Sequence, residues 1–92
     1  MTGDRTCRVR VTGRVQGVSY RAWTRAKATD LGLTGWVRNE RDGSVSALLS
    51  GPPDRVAEMI RSMKEGPDVA RVAAVDTSES DEQAPDRFEI RG

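Results

Sequence analysis

GWVRNERDGSVSALLS, residues 35–50, contains the pattern that decides the fold. Asp42-Gly43 separates two apolar runs, residues 35–39 and residues 44–50, and Asp-Gly between such runs is a strong signal for a β-hairpin turn. Successive side chains of a strand point to opposite faces, so three apolar residues of the second run share one face: Val45, Ala47 and Leu49. We therefore predict two neighbouring antiparallel strands joined by a tight turn.

A further strand is predicted on the N-terminal side of this hairpin. In residues 7–12 the apolar side chains alternate with Arg8 and Arg10, as in a strand with one buried face and one exposed face. Gly13 and Gly17 follow and bracket a short polar loop. This stretch predicts a strand that leads directly into a loop.

A helix is predicted between that loop and the hairpin. Ser19 occupies the N-cap position, the helix covers residues 21–31, and Gly32 ends it. Its apolar stripe is weak, so tertiary contacts must supply most of its stability. We predict three inward residues on this helix: Trp23, Ala26 and Leu31.

A second helix is predicted after the hairpin. Gly51-Pro52-Pro53 breaks the strand and sets the start of a helix, which ends near Glu65, before Gly66. Four apolar residues follow the i, i+3, i+4, i+7 spacing of an amphipathic helix: Val56, Met59, Ile60 and Met63.

Two strands and an acidic segment complete the chain. Residues 69–77 are rich in Val and Ala and predict a fourth strand, while Phe88 and Ile90 alternate in a short final strand. Residues 76–86 hold five acidic side chains and no basic one, which predicts a solvated loop of low order.

The order of these elements indicates the fold class. The pattern β-α-β-β-α-β, followed by a short terminal strand, is that of an α+β, ferredoxin-like split βαβ sandwich. We expect an antiparallel sheet with both helices on one face, in a single domain over residues 1–92. Because this architecture carries many functions, the fold alone does not choose among them.

Composition excludes several classes of function. The chain has 92 residues, a net charge of +1, no His and one Cys. Chemistry that uses His is therefore impossible, and a single Cys without a partner cannot build a zinc site. With 4% aromatic residues and no strong positive charge, a nucleic-acid partner is not expected. No apolar run is long enough to span a membrane and no export signal follows the N-terminal charges, so we predict a cytoplasmic monomer.

The loop before the first helix is a candidate anion site. A glycine-containing loop that leads from a strand into a helix N-terminus can turn several backbone N–H groups toward one point. Arg21 falls in the first helical turn, where a cation is unfavourable unless an anion is bound beside it. The charge is also uneven, since nine basic and three acidic residues precede Asp42. Taken alone, however, the loop could be a structural turn, Arg21 an exposed side chain, and Asn39 a local partner of the hairpin backbone.

Two blocks of sequence together resemble the acylphosphatase family. They are Gly13-Arg14-Val15-Gln16-Gly17-Val18-Ser19-Tyr20-Arg21 and Gly35-Trp36-Val37-Arg38-Asn39, the second followed by Asp42-Gly43. The resemblance covers essentially the whole chain and implies a ferredoxin-like fold, acylphosphatase activity, and no metal or organic cofactor. The chain departs from the family pattern at Ser19-Tyr20, where Gly-Phe or Phe-Phe is common, and this leaves the substrate preference open.

The resemblance also implies roles for individual residues. Arg21 becomes the arginine that binds phosphate, and Asn39 the residue that orients the attacking water. Five residues become the phosphate cradle: Arg14, Val15, Gln16, Gly17 and Val18. The expected partners are small acyl phosphates of the carbamoyl, acetyl or glyceroyl type.

This chemistry suits a chain without His. A carboxylate leaving group is a weak base, with a conjugate acid near pKa ~4.3, and it departs without a general acid. Phosphoryl transfer then depends mainly on positioning and on stabilisation of charge. The alternative is a non-catalytic anion-binding or regulatory module, which needs the cradle and Arg21 but not a residue that orients water.

Overall fold

The hairpin at Asp42-Gly43 is one of several predicted features found in the computed structural model, which describes residues 3–92. Seven elements follow one another: β1 (Arg5–Arg14), α1 (Tyr20–Asp30), β2 (Thr34–Asn39), β3 (Val45–Gly51), α2 (Pro53–Glu65), β4 (Arg71–Glu79) and β5 (Phe88–Arg91). The expected fold class is confirmed, with α1 and all strands except β5 starting one or two residues away from their predicted positions. None of the helices in this part of the chain is long and apolar enough to cross a membrane.

The sheet has the strand order β4-β1-β3-β2-β5. Four strands pair antiparallel, as predicted, but β5 pairs parallel with β2, so the complete sheet is mixed. β5 runs parallel to β2 because of the path that the chain takes from β4 to β5. Because β4 ends at the same end of the sheet at which β5 begins, residues 80–87 need only cross the sheet from one edge to the other.

The main core lies between the sheet and the two helices. The predicted inward residues of β1 and β3 are all buried, and α2 buries Val56, Met59 and Met63 with Ile60 half-buried. These residues form one cluster with the buried side of α1, so both helices cover the same face of the sheet. The hydrophobic effect on this face therefore holds the layers together.

The inward face of α1 differs from the prediction. Ala26 is exposed, whereas Tyr20, Thr24 and Ala28 are buried along an i, i+4, i+8 row. Trp23 and Leu31 are only partly buried at the margin of the core. The prediction was wrong for Ala26 and missed the buried row because that row includes a threonine, which a count of apolar residues does not detect.

The opposite face of the sheet carries a second, smaller buried group around Trp36, which is 1% exposed. Glu82 accepts a hydrogen bond from Trp36 Nε1 at 3.1 Å and pairs with Arg8. Three guanidinium groups lie 4.7 to 5.5 Å from the indole ring centroid, within cation–π range: Arg8, Arg38 and Arg91. Residues 80–87 form a loop between the two strands, as predicted, but residues 76–79 belong to β4, and Glu82 is held on this face by Trp36 and Arg8.

Gly35 allows β2 and β3 to approach closely. Its φ is 142°, and a Cβ at this position would lie 1.8 Å from the carbonyl oxygen of Leu48. No side chain fits there without moving the neighbouring strand. The close approach of β2 to β3 at this position therefore requires a residue without a side chain.

Candidate active site

The loop between β1 and α1 has the backbone conformation of an anion-binding nest. Gly17 has a φ of 75° and Ser19 a φ of 61°, and Ser19 is the only non-glycine residue with a positive φ in the part of the chain that the structure describes. Left-handed residues within a short loop turn neighbouring N–H groups toward a common point. This conformation is costly for serine, and such strain is concentrated at functional sites.

The N-terminus of α1 presents backbone donors to the same region. Ser19 is the N-cap, as predicted, but its side chain makes no capping hydrogen bond, and the helix begins with the bond from Trp23 N–H to Ser19 O at 3.0 Å. The amides of Tyr20, Arg21 and Ala22 therefore have no acceptor within the helix. The first turn has no acidic residue. A helix start of this kind attracts an anion.

A pocket of about 370 Å³ opens at this helix start. Four of the residues that the sequence singled out line it: Val15, Gly17, Arg21 and Asn39. The fold thus brings the β1–α1 loop and the end of β2 to one concave surface. Four further lining residues were not predicted: Ser19, Tyr20, Ala22 and Ile90. Tyr20 and Ala22 flank Arg21, so their proximity to the site could have been inferred, but nothing local to Ile90 indicates its place.

Arg21 is half-buried at the pocket and keeps most of its donors free. One guanidinium nitrogen, Nη1, donates a hydrogen bond to the carbonyl oxygen of Gly92 at 3.1 Å. Among the described residues, no carboxylate side chain pairs with Arg21. A guanidinium group has five N–H donors in a planar fork, so two parallel bonds to a phosphoryl group remain possible.

Asn39 is the last residue of β2, opposite Val45 of β3. Its side-chain oxygen Oδ1 is buried and has no hydrogen-bond partner within residues 3–92. A buried polar atom without a partner costs free energy, and native proteins contain few of them. An unpaired acceptor beside a pocket can bind and orient a donor that enters the pocket, such as water.

The other three predicted cradle residues do not line the pocket. Arg14 is exposed at the end of β1, opposite Arg71 of β4, and Val18 packs against the core. The side-chain amide of Gln16 points to the hairpin and donates to the carbonyl oxygens of Glu40 and Ser44. If these residues contribute to the cradle, they do so through the backbone and not through their side chains.

The hairpin after Asn39 is held by a carboxylate at its tip. Asp42 accepts hydrogen bonds from the Ser44 hydroxyl at 2.6 Å and the Ser44 N–H at 2.9 Å, and Arg10 pairs with it on the exposed side. These donors hold the pKa of Asp42 well below its usual range, with the Ser44 hydroxyl the largest cause. The turn therefore stays closed by a charged acceptor over the ordinary pH range.

Tyr20 joins the start of α1 to the end of α2. Its hydroxyl donates a hydrogen bond to the carbonyl oxygen of Met63 at 2.8 Å, and both groups are buried. In a continuing helix that oxygen would accept from residue 67, but Pro67 has no N–H. Burial raises the pKa of Tyr20, which keeps the hydroxyl protonated as a donor.

The donor set of the pocket is suited to an anion. In residues 3–92 no three His, Cys, Asp or Glu side chains come close enough to hold a metal ion. Instead, a guanidinium group, helix-terminal N–H groups and the buried, unpaired amide oxygen of Asn39 belong to residues at the pocket. Such a set can bind an oxyanion and position a neutral donor beside it.

Known proteins resemble this chain in both sequence and structure. A family model for acylphosphatase matches residues 7–90. An acylphosphatase of Rhizobium meliloti (strain 1021) is 53% identical and covers 98% of this chain and 97% of its own length. An acylphosphatase structure from Coxiella burnetii has a TM-score of 0.92 at 35% identity, covering 97% of this chain and 94% of that one. A Bacillus subtilis acylphosphatase structure gives 0.89 at 33% identity, with coverage of 95% and 98%.

Proposed function

The chain belongs to the acylphosphatase family, and we propose that Arg21 and Asn39 are the residues with which it hydrolyses small acyl phosphates. The protein is an acylphosphatase, a hydrolase of the bond between a carboxyl group and a phosphate. We propose that residues 1–92 form one domain of this kind, acting as a monomer in the cytoplasm. The single buried thiol of Cys7, which has no second cysteine with which to form an intrachain disulfide, supports a reducing compartment.

Phosphate binding is assigned to Arg21 and to the backbone around it. The guanidinium fork donates to two phosphoryl oxygens, and the N–H groups of the Val15–Ser19 loop and of the first turn of α1 surround the others. Within the loop, Gly17 keeps the backbone accessible because it has no side chain. Because Arg14, Gln16 and Val18 do not line the pocket, their side chains are not assigned to phosphate binding.

Water activation is assigned to Asn39. Its Oδ1 accepts a hydrogen bond from the attacking water and holds that water in line with the bond to the leaving group. A phosphoryl oxygen of the substrate takes the water proton as the oxygen–phosphorus bond forms. The carboxylate leaves with the electron pair of the broken bond and needs no proton.

One observation supports this function best. Arg21 on α1 and Asn39 on β2 line the same pocket, and Oδ1 of Asn39 is buried without a partner among the described residues. A simple anion-binding module needs the first of these residues and gains nothing from the second. The unpaired oxygen therefore favours hydrolysis over binding alone.

The test is hydrolysis of benzoyl phosphate by the Asn39→Ala variant. We expect kcat to fall roughly a hundred- to a thousandfold, by analogy with the loss of one oxyanion-type donor. The inhibition constant of inorganic phosphate should stay within about threefold of wild type, since Arg21 and the loop are intact. Arg41→Ala, which removes an exposed side chain of the same hairpin, serves as the matched control and should keep kcat within about twofold.

The opposite result would assign Asn39 to the hairpin. A variant that loses about 1 kcal/mol of stability but retains its kcat would show that the side chain only supports the turn. Thermal melts recorded beside the kinetics distinguish the two cases. Loss of phosphate binding together with kcat would mean that the substitution has collapsed the pocket, and would contradict the assigned role.

A further inference from the structure

The amide of Gln16 joins the two parts of the pocket. Its Nε2 donates one hydrogen bond to the carbonyl oxygen of Glu40 and one to that of Ser44, each at 2.8 Å. A side-chain amide nitrogen has two hydrogens, so both are used. The side chain therefore spans the mouth of the hairpin turn from outside it.

These two carbonyl oxygens are also the ones that the hairpin itself uses. Ser44 O accepts from the N–H of Glu40 at 2.8 Å, and Glu40 O accepts from the N–H of Gly43 at 3.2 Å. Each oxygen has two lone pairs, and Gln16 occupies the second of each. The loop residue is thus built into the hydrogen-bond network that closes the turn.

The position of Gln16 in the chain makes this network relevant to the site. Val15 and Gly17, its neighbours on both sides, line the pocket. Glu40 and Ser44 directly follow and precede the pair Asn39–Val45 in the β2–β3 ladder. Gln16 and its partner Glu40 are thus each next in the chain to residues that line the pocket. One side chain therefore fixes the loop relative to Asn39.

We propose that Gln16 is a positioning residue, which sets the distance between the phosphate-binding loop and the amide of Asn39. This role rests on the proposed function, because Gln16 affects turnover only through Asn39. A displacement of the hairpin relative to the loop would have to break both hydrogen bonds. Misplacement by about 1 Å of a group that orients a reactant can cost on the order of a hundredfold in rate.

The hairpin has a second tether that provides a control. Arg10 of β1 pairs with Asp42 at an exposed position, and this pair involves no residue of the loop. Arg10→Met removes this tether, and Gln16→Met removes the other with a side chain of similar length. If anchoring the hairpin were all that mattered, the two variants would affect turnover alike.

The first experiment is a double-mutant cycle on benzoyl phosphate hydrolysis. We expect Gln16→Met to lower kcat about tenfold to a hundredfold, with the phosphate inhibition constant within about threefold of wild type. Arg10→Met should keep kcat within about twofold. In the Asn39→Ala background, Gln16→Met should cost less than about threefold more, because residues that act as a unit are not additive. Additive losses would overturn the proposal.

A second variant separates hydrogen bonding from packing. Gln16→Glu preserves the size of the side chain but places acceptor-only oxygens against two carbonyl oxygens. We expect it to lower kcat at least as much as Gln16→Met does. A glutamate variant with wild-type kcat would show that the two hydrogen bonds are not needed, and would contradict the inference.

Amide hydrogen exchange tests the coupling without any turnover. In the wild type, saturating inorganic phosphate should slow exchange at the Glu40 and Gly43 amides by about threefold or more, since the ordered loop holds the turn through Gln16. In Gln16→Met the same phosphate concentration should change these rates by less than about 1.5-fold. Equal protection in both proteins would refute the coupling. If Asn39→Ala instead retained full kcat, the assignment of Asn39 would fail while this exchange result still reported on Gln16.

Discussion

The hydrogen bond from Tyr20 to Met63 gives a prediction for stability. Tyr20→Phe removes only the hydroxyl and leaves the buried Met63 carbonyl oxygen without a donor, because Pro67 has no N–H to replace it. Leaving a buried acceptor unpaired costs about 1–3 kcal/mol, and we expect about 2 kcal/mol here. For a domain of this size each kcal/mol lowers Tm by roughly 4–8 °C, so Tm should fall by roughly 8–16 °C.

The same substitution changes how stability depends on pH. Burial raises the pKa of Tyr20 in the folded state, whereas an exposed tyrosine of the unfolded chain titrates near ~10. Above that pH the unfolded state binds fewer protons than the folded state, so the wild type loses stability as pH rises. The loss is about 1.4 kcal/mol per pH unit for one group. Because the unfolded tyrosine is already half-titrated at pH 10, the stability difference between wild type and Tyr20→Phe should shrink by about 1 kcal/mol from pH 10 to pH 11.

Urea unfolding at pH 7, 10 and 11 measures both effects, and turnover at 25 °C provides the control. Tyr20 lines the pocket, but its hydroxyl donates to Met63, so kcat for benzoyl phosphate should remain within about threefold. A variant with unchanged Tm would refute the reasoning that the Met63 oxygen lacks another donor. A variant with normal Tm and a much lower kcat would mean that the hydroxyl acts in the site.

Three further predictions concern the site and the sheet. Arg21→Lys should lower kcat/KM on the order of a thousandfold, because an ammonium group cannot reproduce the guanidinium fork. As the control, Arg25→Lys on the exposed side of α1 should stay within about twofold of wild type, and an Arg21→Lys variant with about a tenth of wild-type activity would contradict the prediction. Inorganic phosphate should inhibit competitively against benzoyl phosphate in initial-rate assays, and a noncompetitive pattern would contradict a shared phosphoryl site. Gly35→Ala should prevent folding or cost more than about 3 kcal/mol in chemical unfolding, since its Cβ would meet Leu48 O at 1.8 Å, whereas Gly43→Ala, with φ 93° and open space around it, should cost only about 1 kcal/mol.

Local patterns in the sequence predicted most of the fold. The alternation in β1, the Asp42-Gly43 turn and the apolar spacing of α2 are each set by neighbouring residues, and all three agree with the structure. The two sequence blocks that contain Arg21 and Asn39 likewise indicated the acylphosphatase family. These features could be predicted because the period of a strand or helix and the chemistry of a turn are local properties.

Features that depend on distant residues could not be predicted in this way. The direction of β5 is set by where the chain crosses the sheet, and alternation in a four-residue strand does not encode it. The acidic segment has the composition of a solvated loop, yet Glu82 is fixed by Arg8 and Trp36, which lie far from it in sequence. The acidic segment is therefore ordered by those distant partners, which its own composition does not indicate.

The same limit applied within the site. The resemblance pointed to Gln16 as a residue of the cradle, but not to the two carbonyl oxygens at the hairpin that hold its side chain. Ile90 lines the pocket only because β5 adds to β2. The residue types of a site can be read from a motif, whereas the contacts that orient them depend on tertiary structure.

The parallel pairing of β5 with β2 has a consequence for the order of folding. The β2–β3 hairpin closes locally, and hairpins of this kind form within microseconds. Gly35, in contrast, pairs with Phe88, 53 positions later in the sequence, and closing so long a loop is entropically slower. Ile90, which lines one side of the pocket, arrives only with that late step. During refolding, the Ile90 side of the pocket should therefore be completed after the hairpin amides are already protected.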